Sequence, residues 1–120
     1  TGDYRYDFSN PNRLVPILKI YQGLIIIGAH MGGWSIWDEA SRRLSGFPNL
    51  YVDCSSTFPY LKPQVVRELI LRYGTDRVLF GTDYPMWSPE KELAYFFSLG
   101  FSEEENRRML SGNVRRLFGI

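Results

Sequence analysis

At 120 residues and 14.0 kDa the chain is the size of one ordinary domain, and 44% hydrophobic with 16% aromatic content is enough for a packed core, which excludes a disordered polymer. Lys plus Arg number 14 and Asp plus Glu 13, a formal charge of +1 with no basic run longer than Arg115-Arg116, so no nucleic acid or other polyanion is expected as a partner. One cysteine, Cys54, no signal peptide ahead of Thr1, and apolar runs such as Leu24 to Ile27 far short of the roughly 20 residues of a membrane span predict a soluble protein in a reducing cytoplasm.

The opening, Thr1 to Pro11, is rich in turn formers. Asn10 then reads as a helix cap with Pro11 in the first turn, and Leu14, Val15, Ile17, Leu18 and Tyr21 follow at helical spacing until Gly23. Residues 24 to 29 form an unbroken apolar run, the pattern of a strand buried on both faces, and the run ends at His30. After the Gly32-Gly33 turn, Trp34, Trp37, Ala40 and Leu44 share one helical face up to Gly46 and Pro48.

A second strand is expected over residues 50 to 55. A helix carrying Val65, Val66, Leu69, Ile70 and Tyr73 then starts at Lys62 or Pro63 and stops at Gly74. Arg77 to Phe80 lead into a third strand that ends in Gly81-Thr82-Asp83. Strands beginning at 24, 50 and 77 are too far apart for hairpins and leave room for crossover helices, so the order predicts right-handed βαβ units in a parallel sheet. Beyond Pro85, Ser88-Pro89 opens one helix, Ser102 with Glu105 forms a capping box for Glu103 to Leu110, and Asn113 to Phe118 form a last short helix.

His30 and Asp83 end the first and third strands of one parallel set, the edge on which α/β proteins place their chemistry. A flat sheet would hold them about 10 Å apart, whereas a curved one brings their tips together. Alone, His30 also fits a polar strand cap, and Asp83 a turn residue before Tyr84-Pro85. Asp53 lies inside its strand, where a buried hydrogen-bonded role is as plausible as a catalytic one, and Ser55 is better placed to reach the mouth of a site. Cys54 reads as a small core hydrophobe. Among the flanking aromatic residues Trp37 fits helix packing, while Trp34, Tyr84 and Trp87 are candidates to grip a planar or apolar substrate.

Three segments resemble the C-terminal part of the amidohydrolase-related family, which includes aminocarboxymuconate semialdehyde decarboxylase-like and other metal-dependent hydrolases. They are Ala29-His30-Met31-Gly32-Gly33, the Asp-x-Ser of Asp53 and Ser55, and Asp76 to Pro85; Asn113 to Phe118 is similar to the family's final helix. The resemblance implies an α/β fold, the C-terminal portion of a (β/α)8 TIM barrel comprising about strands six to eight. His30 then ends strand six, residues 50 to 55 are strand seven, and Asp83 is the metal-binding aspartate ending strand eight.

A whole barrel needs about 250 residues. The family's His-x-His pair of strand one and the histidine of strand five are therefore expected upstream of Thr1. The resemblance further implies a divalent metal, Zn²⁺ for preference, in the complete enzyme, with Asp83 and His30 as metal and catalytic residues and none held tightly by this chain alone. The expected reaction is hydrolysis of a small molecule by metal-activated water. Non-oxidative decarboxylation on the same apparatus is the alternative, and a non-catalytic α/β module binding a partner chain through its strand edges is the rival. Exposed barrel edges predict self-association or association with the missing half.

Overall fold

A computed structural model describes residues 10–120 of the chain; the expected turn-rich opening, apart from its last two residues, lies outside them. The first helix, α1 (Pro11–Ile20), starts as the sequence dictates: the Asn10 side chain accepts from the backbone N–H of Asn12 at 2.9 Å, and Pro11 occupies the first turn. Asn49 ends it, donating from Nδ2 to the carbonyls of Leu18, Tyr21 and Leu24 at 3.2, 3.3 and 3.2 Å. That one buried amide closes the helix and aims the chain into the first strand.

Three strands, β1 (Ile26–Gly28), β2 (Leu50–Asp53) and β3 (Val78–Leu79), form a parallel sheet in the order β1-β2-β3, with Ile26 opposite Leu50 and Val52 opposite Val78. The crossovers are α2 (Trp37–Leu44) and α3 (Pro63–Tyr73), which pack on one another. Between them and the sheet lies the core: Leu44, Leu50, Val52, Val66, Leu69, Ile70 and Val78 are all buried. Each such side chain stabilises the fold by about 1.5–3 kcal/mol.

Three expectations are corrected. Residues 24 to 29 are not buried on both faces; Leu24, Ile25 and Ile27 are 53%, 52% and 40% exposed. β1 is an edge strand, and Ile25 and Ile27 open onto a cleft shared with Leu117 and Phe118 rather than joining the core. The second helix begins at Trp37 rather than Trp34, because Ser35 takes a left-handed φ of 70° and breaks the helical path.

The third correction concerns the C-terminus. After α4 (Pro89–Ser98), the capping box of Ser102 and Glu105 forms with contacts of 3.0 and 3.1 Å and opens α5 (Glu103–Arg107), but the chain then widens into a π-turn over Arg108–Gly112 before α6 (Asn113–Phe118). In that turn the Asn113 N–H bonds to the Arg108 carbonyl, which frees the Met109 carbonyl to accept from Phe80 N–H at 2.9 Å. The Asn113 side chain adds bonds to the carbonyls of Thr75 and Val78 at 2.8 and 2.9 Å. The π-turn thus clamps the end of β3, the strand that delivers Asp83.

Candidate functional site

Each strand ends in a sharp change of backbone hand. His30 follows β1 with φ 56°, Ser56 follows β2 with φ 49°, and Asp83 follows β3 with φ 61°. For residues with a Cβ this left-handed region costs free energy, of order 1–3 kcal/mol each, and persists only where the surroundings impose it. Here the three residues line one cleft of about 270 Å³ together with Trp34, Tyr60 and Met86. The sheet therefore brings His30 and Asp83 to a common space at its C-terminal edge.

The turn after β1 closes tightly. Gly32 has φ +86°, and a Cβ there would lie 2.7 Å from the Tyr73 hydroxyl and 2.9 Å from Leu44 Cδ1; only glycine fits. The Tyr73 hydroxyl donates to the carbonyl of buried Met31 at 2.8 Å, which ties this turn to α3.

Asp53 organises the next layer. Its Oδ1 accepts from the backbone N–H of His30 at 3.1 Å, from Ser55 N–H at 3.0 Å and from the Ser55 hydroxyl at 2.5 Å. The Ser55 hydroxyl and carbonyl each lie 3.0 Å from His30 Nδ1. Ser55 is buried and faces His30, not the open cleft. On the other side the Ser56 hydroxyl donates to Asp83 Oδ2 at 2.7 Å and accepts from Trp87 Nε1 at 3.0 Å. Adjacent serines after the middle strand thus hold the functional groups of both neighbouring strands, and the Asp83 carboxylate is engaged by Ser56 rather than spent on capping its own turn.

An aromatic rim borders the cleft. Tyr60 meets Trp34 edge-to-face at 5.5 Å and Trp87 at 5.9 Å, and Trp34 meets Trp37 at 6.2 Å between ring centroids. Trp37 packs half-buried against the core. Tyr84, at 74% exposure, projects outside the cleft lining. Sequence reasoning missed Tyr60 and Ser56 as lining residues. Tyr60 sits in a short 3-10 turn, Phe58–Tyr60, with no periodicity to mark it. Burial pushes the Cys54 thiol up to about 12, so the thiol is inert at neutral pH.

Among the described residues no group of three or more His, Cys, Asp or Glu side chains could hold a metal ion. His30 and Asp83 offer one nitrogen and one oxygen donor at the same cleft, a partial fit to a centre that needs about three protein ligands. No helix among the described residues is long and apolar enough to cross a membrane.

The Polaromonas sp. (strain JS666 / ATCC BAA-500) gamma-resorcylate decarboxylase is 28% identical over an alignment of 119 positions that covers 83% of this chain and 36% of that enzyme. Among solved structures, an uncharacterised TIM-barrel protein from Bordetella bronchiseptica superposes with a TM-score of 0.80 at 25% identity, covering 92% of this chain and 40% of that one. A dihydroxybenzoic acid decarboxylase from Polaromonas sp. JS666, solved with bound manganese and the inhibitor 2-nitroresorcinol, gives a TM-score of 0.68 at 26% identity, covering 91% and 38%. The chain thus spans well under half the length of the proteins it matches, and its parallel α/β fold is that of TIM-barrel relatives. The amidohydrolase family model matches residues 1–120 throughout, and the chain belongs to that family.

Proposed function

We propose that the chain is the C-terminal portion, about strands six to eight, of a (β/α)8 barrel that carries out metal-dependent, non-oxidative decarboxylation of a hydroxylated aromatic acid. The observation that carries this reading is the single cleft into which three successive parallel strands deliver His30, Ser56 and Asp83 in strained left-handed conformations beneath an aromatic rim. The similarity to gamma-resorcylate decarboxylase supports decarboxylation over the hydrolysis first expected from the family resemblance.

The chemistry asks for few groups. The bond between ring carbon and carboxylate breaks, its electrons stay with the ring, a proton takes the vacated position and CO₂ leaves. Trp34 and Tyr60 line the cleft, where they would hold a planar ring in place while limiting water. His30 Nε2 accepts the proton of a ring hydroxyl, which enriches the ring carbon in electrons, and the resulting imidazolium returns that proton to the ring carbon as CO₂ leaves. Ser56 holds the Asp83 carboxylate in place, and Trp87 steadies Ser56. A divalent metal, when bound, would neutralise the substrate's carboxylate and hydroxyl oxygens; Asp83 would supply this chain's share of its ligands, the remainder coming from upstream sequence, while His30 keeps Nε2 for the substrate. Manganese in the Polaromonas neighbour makes that ion as fitting a choice as the zinc first expected. The exposed Ile25 and Ile27 face is where the remaining strands or a second copy would pack. A single buried free thiol is compatible with a reducing cytoplasm.

The test is made on the longer protein that carries this segment, loaded with Mn²⁺ or Zn²⁺ and given 2,6-dihydroxybenzoate. Equimolar resorcinol and CO₂ are expected, with Asp83→Asn lowering turnover by about 100-fold or more. A folded, metal-replete protein that leaves the acid intact and hydrolyses an ester or amide instead would overturn the reading.

A further inference from the structure

We infer that Asp53 is a positioning residue that, through the Ser55 hydroxyl, fixes the His30 ring as its Nδ1–H tautomer and so leaves the lone pair on Nε2 for the substrate. The inference deepens the proposed function and rests on its placing His30 at the reacting molecule. Hydrogen accounting carries it. The Ser55 hydroxyl has one proton, and the 2.5 Å contact shows that it points to Asp53 Oδ1, a carboxylate oxygen that can only accept. At 3.0 Å from His30 Nδ1 the same hydroxyl is then left with lone pairs alone, and the Ser55 carbonyl, also 3.0 Å away, is an acceptor by nature. Two acceptors face Nδ1, so a neutral ring must place its hydrogen there.

Asp53 also holds the ring's own backbone through His30 N–H, at 3.1 Å, where φ is 56°. Removing the carboxylate frees the Ser55 hydroxyl to rotate and donate to Nδ1, which admits the other tautomer. It also releases the backbone that carries the ring. All three donors converge on one oxygen, Oδ1, so an asparagine carbonyl can replace it with the same geometry.

The experiment is ¹⁵N NMR of histidine-labelled, metal-free protein carrying this segment, with the His30 signals assigned by their loss in His30→Gln. Wild type and Asp53→Asn should show the Nδ1–H form, and Asp53→Ala a mixture or the Nε2–H form. In the metal-loaded enzyme Asp53→Ala should lower kcat by about 10- to 100-fold while KM moves much less, and Asp53→Asn should restore most of the loss. An Nε2–H ring in the wild type, or an unchanged tautomer and kcat in folded Asp53→Ala, overturns the inference. Because wild type and Asp53→Asn carry the spectroscopic test, it holds even if the alanine variant does not fold. Decarboxylation with an Nε2–H ring sinks the positioning role alone; an Nδ1–H ring in a protein without decarboxylase activity sinks the proposed reaction alone.

Discussion

Glu92, in the first turn of α4, keeps a carboxyl 5% exposed with Oε1 unpaired, close enough to Cys54 and Tyr95 to be felt by both. Burial raises its proton affinity in the folded state. The sign follows from linkage: a carboxyl whose folded pKa lies above its unfolded value binds more protons when folded, so stability is fullest below the unfolded pKa and falls as pH rises through the folded one. Urea unfolding of Glu92→Gln between pH 4 and pH 8 should lack this decline; the same slope in wild type and variant would remove Glu92 as its source. At the same scale the sequence shows His30 and Asp83 as strand-end residues, since an apolar run that stops on a lone polar residue is visible in one dimension. It does not show Ser56 or Tyr60, whose importance comes from a left-handed turn and a ring contact across 26 or more residues of chain, as in the bond from Trp87 to Ser56, which are 31 apart in sequence.

Elements follow local rules until a partner overrides them. The Ser102 capping box forms as its spacing dictates, and Ser102→Ala should cost about 1 kcal/mol in chemical denaturation. In the folded state the Ser102 backbone N–H bonded to Glu105 holds the Glu105 carboxyl below its usual range, so its stabilisation is present above the unfolded carboxylate pKa and fades as pH falls through the folded one. The helix that follows does not obey its own periodicity: β3 needs an acceptor for Phe80 N–H, and the π-turn at Arg108–Gly112 supplies the Met109 carbonyl. Asn113→Ala removes one bond to β3, at the Val78 carbonyl, and one to the Thr75 carbonyl in the turn before it; a loss of about 2 kcal/mol by urea titration is expected, and a loss no larger than that of a surface substitution would show that the clamp contributes little.

For the molecule as a whole, one sheet face is a core and the other carries exposed Ile25 and Ile27 above a cleft of about 410 Å³ lined also by Leu117 and Phe118. Such a face favours association. The chain studied alone should sediment above its 14.0 kDa mass, and Ile27→Lys should shift it toward monomer; a monomeric wild type at high concentration would count against an uncovered face as a driving force. Sequence alone determined the order of helices and strands, their parallel pairing and the identity of the two strand-end groups, because hydrophobic period, caps and crossover length are local quantities. Only the tertiary structure decided which face of β1 is covered, where the C-terminal helix widens, and that Asp53, Ser55 and Ser56 hold His30 and Asp83 at one cleft, because those outcomes depend on which distant carbonyls, hydroxyls and side chains compete for the same partner.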